Sequence, residues 1–190
     1  MSFAGDDFPI VLDACVLYPQ TLRDLLLRLA LAGLYAARFS ERILEEVRSN
    51  LVRDGRASEA AASRMIQLIR ANAEECLIDV PTALPTDLRL PDPDDLHVVQ
   101  TAVAAGAAQI LTFNVQHFPL QELAKVDLEI IHPDEFLFQL CDLYPSAVVD
   151  VCRRWFAVLR KPPRSAAEIR HYLSQNRMPR AAEQFFRLFH

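Results

Sequence analysis

The chain has 190 residues, of which 52% are hydrophobic and 24% charged, and its formal net charge is −5. A chain of this length buries one sizeable core, which excludes two domains of equal size. No apolar stretch approaches the roughly 20 residues that a membrane-spanning helix needs, and residues 1–7 are acidic where a signal peptide would be basic, so we expect a cytoplasmic protein with no membrane partner.

Apolar runs alternate with helical patterns through most of the chain. Five apolar runs predict β-strands, at residues 8–12, 35–39, 77–80, 110–113 and 128–131. Apolar periodicity, with glycines at three of the expected ends, predicts helices at residues 22–32, 40–54, 58–75 and 95–105. Strands and helices in this order predict an α/β fold with a mostly parallel sheet and right-handed crossovers.

The last part of the chain is predicted to be helical and carries a different charge. Helices are predicted at residues 134–143, 146–160, 165–175 and 179–189. Residues 1–143 hold 11 basic and 22 acidic side chains, whereas residues 144–190 hold 9 basic and 3 acidic ones. We therefore predict a globular domain over 1–143 and a helical, Arg-rich C-terminal extension over 144–190. The extension is either an ordinary solvated surface or a phosphate-binding one, because arginine binds phosphate in a bidentate manner.

The four cysteines have no paired short spacing and lie in apolar surroundings. Disulfide frameworks and zinc sites both have recognisable cysteine spacings, so we predict buried, reduced thiols instead. These residues are Cys15, Cys76, Cys141 and Cys152.

Polar residues end two of the predicted strands. Asp13 follows the run at residues 8–12, and Asn114 follows the run at residues 110–113. Shortly before the second run, residues 91–95 read Pro-Asp-Pro-Asp-Asp and open a helix. Because the carboxyl ends of parallel strands meet at the edge where α/β sheets place their sites, we expect these polar side chains to converge there.

Helical geometry separates the neighbouring acids. On the helix that carries both residues, Glu46 flanks the apolar stripe and Glu45 lies nearly opposite it, so Glu46 is predicted to face the sheet edge. Asp95 shares a face with the apolar residues three, four and seven positions on, which predicts that it points inward. Asp92 and Asp94 are interpreted as capping residues of that helix start.

Asp13, Glu46 and Asp95 thus form the predicted site. Asp13 taken alone would be read as a turn or cap residue. Three carboxylates close together repel one another and resist ionisation unless a cation lies among them. Oxygen ligands suit Mg²⁺ or Mn²⁺, since zinc prefers His or Cys. Mg²⁺ keeps several waters and binds substrate phosphate, so the site predicts phosphoryl chemistry.

Four segments, in this order, resemble PIN-domain ribonucleases and, more narrowly, the VapC-type toxins of bacterial toxin–antitoxin pairs. They read Ile-Val-Leu-Asp-Ala-Cys-Val-Leu at 10–17, Ser-Glu-Arg-Ile-Leu-Glu-Glu-Val at 40–47, Pro-Asp-Asp-Leu-His-Val at 93–98 and Ile-Leu-Thr-Phe-Asn at 110–114. The resemblance covers roughly residues 8–136 and implies a three-layer fold with a central sheet flanked by helices. It implies that Asp13, Glu46 and Asp95 bind the metal, that Asn114 holds the fourth polar position and that Thr112 supports it.

The chemistry that the resemblance implies is Mg²⁺- or Mn²⁺-dependent hydrolysis of RNA, in which a metal-activated water displaces the 3′ oxygen and leaves a 5′ phosphate. The catalytic residues would be Asp13, Glu46, Asp95 and Asn114, with Glu46 positioning or deprotonating the water. Many relatives carry Asp where this chain has Asn114, and an amide adds no charge, so a second metal stays open. The implied partners are RNA, a cognate antitoxin and a second copy of the chain.

The acidic domain cannot attract RNA by itself, because phosphate contacts dominate nucleic-acid affinity. The arginines of the extension are therefore candidates for substrate binding: Arg153, Arg154, Arg160, Arg164 and Arg170. Thr112 and His117 are further candidates beside the site. For His117 and for His97 a packing or solvated role stays open, since metal-assisted hydrolysis needs no imidazole.

Other classes of protein share parts of this pattern. A haloacid-dehalogenase-like phosphatase would carry a second acid two residues after Asp13, where this chain has Cys15, and a receiver domain would carry a Lys near a late strand. A non-catalytic partner-binding protein would not need Asp13, Glu46 and Asp95 intact together. A nuclease that processes RNA, rather than a toxin, also stays open.

Overall fold

A computed structural model of the chain describes residues 8–81, 84, 87–158 and 165–189. The strands are β1 (Pro9–Leu12), β2 (Ala36–Ser40), β3 (Leu77–Ile78), β4 (Gln109–Leu111) and β5 (Glu129–Ile131). They form one parallel sheet in the order β3-β2-β1-β4-β5. The predicted α/β fold with a mostly parallel sheet is confirmed.

The central strand β1 is covered on both faces. Val11 pairs with Arg38 of β2 on one side and with Ile110 of β4 on the other, and Ile10, Val11 and Leu12 are all buried. A parallel strand in such a position reads as a continuous apolar run instead of an alternating one. The strand order reverses between β1 and β4, so the carboxyl ends of both strands lie beside the crevice in which open α/β sheets bind ligands.

Helices connect the strands and continue beyond β5. They are α1 (Ala14–Leu17), α2 (Gln20–Leu31), α3 (Glu41–Arg53), α4 (Glu59–Asn72), α5 (Leu96–Ala105), α6 (Leu120–Leu123), α7 (Pro133–Leu143), α8 (Pro145–Val158), α9 (Ala166–Gln175) and α10 (Pro179–Leu188). Gly33, Gly55 and Gly106 have positive φ angles of 76°, 64° and 59°, as expected of glycines that end helices. The four-residue helices α1 and α6 were not predicted, because so few residues show no periodicity.

Several boundaries differ from the predicted ones. β3 covers two residues of the predicted run at 77–80, and β4 ends at Leu111, two residues early. The Thr112 amide still donates to the Ile131 carbonyl at 3.1 Å, but its side chain turns toward the end of β1. The predicted helix at 58–75 ends at Asn72 and is followed by a separate 3-10 turn. Arg160 and the predicted helix breaker Pro162-Pro163 lie outside the described residues.

The C-terminal helices share the core of the sheet. α10 packs against α7 and α9, while α8 packs against α2 and α7. Trp155 of α8 is fully buried, and the guanidinium of Arg28 from α2 lies 5.7 Å from its ring centroid. The division of the chain at residue 143 stays a prediction.

The four cysteines are free, as predicted, and three of them are buried. Burial raises the pKa of both Cys141 and Cys152 to about 12, which keeps these thiols protonated. Within the described part of the chain, no helix has the combined length and apolarity that crossing a membrane requires.

Candidate functional site

Asp13 lies immediately after β1 and is almost fully buried, with 3% of its surface exposed. Its amide donates to the Leu111 carbonyl of β4 at 3.1 Å, which ties the two strand ends together. The side chain does not cap α1. Its Oδ2 atom accepts hydrogen bonds from the Thr112 hydroxyl at 2.5 Å and from the Cys15 thiol at 3.1 Å instead. The turn-or-cap interpretation of this side chain therefore does not describe its contacts.

The electrostatics of Asp13 favour a cation nearby. Burial raises the pKa of this carboxyl above its ordinary range, while the donated hydrogen bonds from Thr112 and Cys15 act in the opposite direction. The negative charge of Glu46 raises the pKa further. A buried carboxylate beside a second acid is costly to ionise, and a cation among them would offset that cost.

Asp95 reaches the same edge from the turn that precedes α5. Its side chain is 17% exposed, and its Oδ2 atom lies 2.8 Å from His117 Nδ1. Burial raises the pKa of Asp95, the hydrogen bond from His117 lowers it, and the charge of Asp13 raises it again. Asp13 is thus close enough to Asp95 to influence its ionisation.

Glu46 projects from α3 toward α5. Its Oε2 atom lies 3.1 Å from His97 Nε2, and His97 is buried. Glu45 is exposed and forms an ion pair with Arg48, which also pairs with Glu59. The two glutamates therefore have different partners, Glu46 contacting α5 and Glu45 pairing within α3, although both line the open cleft beside Asp95.

A group of possible metal ligands surrounds Asp95. One ligand atom each from Asp92, Asp95 and His117 lie within 4.8 Å of one another. Asp92 does act as a cap, since its Oδ1 atom accepts from the Asp94 amide at 3.0 Å, but the same residue also belongs to this group. Carboxylate oxygens and one imidazole nitrogen fit Mn²⁺ well and Mg²⁺ through the carboxylates.

Two members of this group are not predicted as metal ligands from the sequence. Asp92 is interpreted there as a cap, and His117 as a substrate-binding candidate or a packing or solvated residue. The spacing of Asp92 and Asp95 over one turn was a usable signal, because residues three apart share a helical face. No sequence signal places His117 beside Asp95, since that contact depends on how the loop after β4 folds.

Thr112 and Asn114 form the loop after β4. Thr112 is fully buried, and its Oγ1 atom also accepts the Asn114 amide at 3.0 Å. Asn114 is half-buried and begins the 3-10 turn that carries His117. The structure thus brings the loop of the predicted fourth polar position to the same strand ends as Asp13, with Thr112 as the link.

An open cleft of about 510 Å³ lies beside Glu46 and Asp95, and Asp13 is not part of its lining. Its lining includes Glu46, Asp92 and Asp95, together with Arg42 and Arg53. The cleft is wide and polar, which suits an extended polar ligand better than a small apolar one.

Among the described residues, no contact between the predicted arginines and this edge is found. Arg153 and Arg154 are exposed on α8, and within the described residues no hydrogen bond or ion pair joins them to the site. The Arg170 guanidinium lies over the Phe186 ring, 4.1 Å from its centroid. Arg164, like Arg160, falls outside the described residues.

The fold and the site define an α/β protein whose acidic side chains gather where the strand order reverses. The family model described as "PIN domain" matches residues 9–116, more than half of the chain, and the chain belongs to the PIN-domain family. The model described as "VapC50 C-terminal domain" matches residues 133–185. The predicted resemblance is confirmed.

One relative is the Mycobacterium tuberculosis protein named "Putative ribonuclease VapC50". It is 33% identical to this chain over 95 residues. The match covers 50% of this chain and 56% of that protein, so the chain spans little more than half the length of the relative. No solved structure matches the chain.

Proposed function

We propose that the chain is a divalent-metal-dependent endoribonuclease and the toxin of a toxin–antitoxin pair. The observation that carries the proposal is the pair of carboxyl groups at the reversal of strand order, Asp13 and Asp95, whose pKa values are both raised by burial. Two carboxylates on one edge repel each other, but together they are good ligands for a hard cation. The printed name of the relative, a ribonuclease, supports RNA as the substrate.

The residues of the edge would have distinct roles. Asp13 and Asp95 would hold Mg²⁺ or Mn²⁺, with Glu46. Asp92 and His117 are further candidate ligands, because among the described residues they form one group of possible ligand atoms with Asp95, a group that does not include Asp13 or Glu46. When bound, such an ion lowers the pKa of a water molecule and offsets the charge on a phosphate.

Other side chains orient the acids. The Thr112 hydroxyl and the Cys15 thiol hold the Asp13 carboxylate through its Oδ2 atom, which leaves Oδ1 free of side-chain donors among the described residues. His97 holds Glu46 in place through Nε2. In this position Glu46 would accept the proton of the attacking water. Asn114 would contact the substrate or a metal-linked water through its side-chain amide.

If the protein is a toxin, it would bind a cognate antitoxin and act in the cytoplasm. A cognate antitoxin would cover the cleft, where an arginine from the partner would pair with the exposed carboxylates. We also propose cytoplasmic action and self-association into a homodimer. Expression of the chain without its partner should arrest growth, and unaffected growth alongside RNA cleavage would favour a nuclease that processes RNA.

Cleavage of a fluorescent RNA by the purified protein tests the nuclease proposal. We expect 5′-phosphate products with Mg²⁺ or Mn²⁺ and none with EDTA. Asp13→Asn and Asp95→Asn should reduce cleavage to background, while Asp127→Asn, an exposed turn residue, should match the wild type. Cleavage that persists in EDTA and in both site variants would overturn the metal mechanism. An intact chain that binds RNA without cutting it would favour the non-catalytic alternative.

A further inference from the structure

The turn between α9 and α10 is fixed at the edge of the sheet that carries the site. Met178 in this turn is fully buried, and its amide donates to the Leu173 carbonyl at 3.1 Å. The first turn of α10 is held by Asp134, whose Oδ1 atom accepts the Ala181 amide at 2.8 Å. Asp134 belongs to the start of α7, which directly follows the carboxyl end of β5. The C-terminal extension therefore reaches the edge at which β1 and β4 also end.

Arg177 occupies this turn and lies against the loop after β4. Its guanidinium is 6.0 Å from the ring centroid of Phe113. Phe113 stands between Thr112 and Asn114, and its amide donates to Cys15 Sγ at 3.2 Å. The aromatic ring that Arg177 covers thus belongs to the same loop that holds the Asp13 carboxylate.

The backbone of Arg177 is strained. Its φ angle is 63°, a left-handed conformation that residues other than glycine adopt at a cost. The turn is exposed at this residue, so burial does not require an arginine here. A long cationic side chain kept in a conformation that suits glycine is consistent with a role for the side chain itself.

Among the described residues, Arg177 forms a cation–π contact with Phe113 but no ion pair. Other arginines of the extension are engaged, since Arg180 pairs with Glu135, and Arg187 pairs with Glu183 at 2.5 Å. Among the described residues no carboxylate lies within ion-pair distance of Arg177. Its field reaches His132, whose pKa is lowered first by burial and then by this positive charge.

We propose that Arg177 is an RNA-phosphate contact, through which the C-terminal extension holds the substrate backbone beside the acidic edge. This inference rests on the proposed nuclease function. The domain with an excess of acidic side chains repels RNA, so substrate binding needs cations near the site. Arg42 and Arg53 line the cleft, and Arg177 adds a cation from the extension, whose guanidinium fork can bind two phosphate oxygens. Arg177 differs from the predicted candidates on α8 because its position is fixed against the loop of the site.

Binding of a short fluorescent RNA tests this inference, measured by anisotropy in the Asp13→Asn background so that the RNA stays intact. Arg177→Gly removes the side chain and suits the positive φ, so Tm should stay equal or rise. For Arg177→Gly we expect the Kd for RNA to increase roughly fivefold. The slope of log binding constant against log salt concentration should become less steep by about 0.7. Arg187→Ala is the matched control, with the same change of charge on a paired arginine of α10.

Each outcome decides the matter. RNA binding by Arg177→Gly that equals the wild type, or an equal loss in Arg187→Ala, overturns the inference. Binding of a polyglutamate peptide is measured in the same way. If Arg177→Gly weakens binding of this peptide but not of RNA, Arg177 contacts an acidic protein partner, and the RNA inference is overturned. A wild-type chain that binds RNA through Arg177 but cleaves none with Mg²⁺ or Mn²⁺ would overturn the nuclease function alone.

Discussion

At the scale of single residues, the neighbours Glu45 and Glu46 allow a matched comparison. Glu46 lies beside His97 and acts electrostatically on Asp13, whereas Glu45 is exposed and paired with Arg48. We expect Glu46→Gln to reduce the rate of metal-dependent RNA cleavage by about 100-fold, since removing a positioned base costs this much. Glu45→Gln should change the rate less than about twofold, because exposed ion pairs contribute little.

Cleavage rates of both variants at saturating Mn²⁺ provide the measurement. Equal rates in Glu45→Gln and Glu46→Gln would show that the side of α3 does not matter for activity. A wild-type rate in Glu46→Gln would remove this residue from the site.

The raised pKa of Asp13 makes stability depend on pH. In the folded protein the Asp13 carboxyl keeps its proton at pH values above 3.8, its ordinary pKa. Protonation of Asp13 therefore stabilises the folded state fully below pH 3.8, and this stabilisation is lost as the pH rises through the higher pKa of the folded protein. Without metal at pH 7, Asp13→Asn should therefore be more stable than the wild type, by about 1.4 kcal/mol for each unit of pKa difference. The difference should shrink as pH falls toward 4.

Urea unfolding of both proteins across this pH range measures the effect. Added Mn²⁺ should reverse the order, since a ligand that binds only the folded wild type stabilises it. A pH-independent difference, or equal stabilisation of both proteins by Mn²⁺, would contradict the electrostatic account of the site.

At the scale of elements, Ser40 connects α3 to α5. Its Oγ atom accepts the Ile43 amide at 3.4 Å as the N-cap of α3 and the Thr101 hydroxyl of α5 at 2.9 Å. We expect Ser40→Ala to lower the free energy of unfolding by about 1–2 kcal/mol, because a cap and a buried hydrogen bond are lost together. It should also reduce activity, since these helices carry Glu46 and His97.

Ser58→Ala is the control for Ser40→Ala in urea denaturation. Ser58 caps α4 by accepting the Ala61 amide at 3.3 Å, but it is exposed and forms no hydrogen bond to another helix in the described part of the chain. Its loss should cost only about 0.5–1 kcal/mol and leave activity unchanged. Equal costs for both serines would mean that the bond to Thr101 contributes nothing.

Elements with strong local patterns could be predicted, and short ones could not. The glycine ends and the N-cap serines are local features, so α3, α4 and α5 lie close to their predicted positions. The helix α1 has four residues and forms because the Asp13 carbonyl accepts the Val16 and Leu17 amides after β1 ends. Such a turn depends on the neighbouring strand and leaves no periodic signal in the sequence.

At the scale of the whole molecule, the single tryptophan tests whether residues 144–190 unfold with the rest. Trp155 is fully buried between α8 and the N-terminal half, with Arg28 of α2 over its ring. Because α7, α8 and α10 pack into one core, we expect one cooperative transition, in which Trp155 fluorescence and far-UV circular dichroism have the same urea midpoint. A fluorescence midpoint at lower urea would make the extension a separate unit.

The structure shows where several arginines of the basic C-terminal extension lie. From sequence, the arginine candidates for substrate binding are Arg153, Arg154, Arg160, Arg164 and Arg170, and Arg177 is not among them. The structure engages Arg170, Arg180 and Arg187 with aromatic rings or acids, leaves Arg153 and Arg154 on an exposed helix face, and brings Arg177 to the loop of the site. Position against the sheet edge, not net charge, distinguishes Arg177.

The sequence by itself determined the α/β fold and the sheet edge, and it predicts the acids at that edge, because apolar periodicity, strand-ending polar residues and helical faces are local properties of each segment. Only the tertiary structure decided what surrounds those acids. Thr112 and Cys15 hold Asp13, while His117 and Asp92 meet Asp95, through contacts between segments distant along the chain. Such contacts depend on packing between strands, loops and the C-terminal helices, which no single segment encodes.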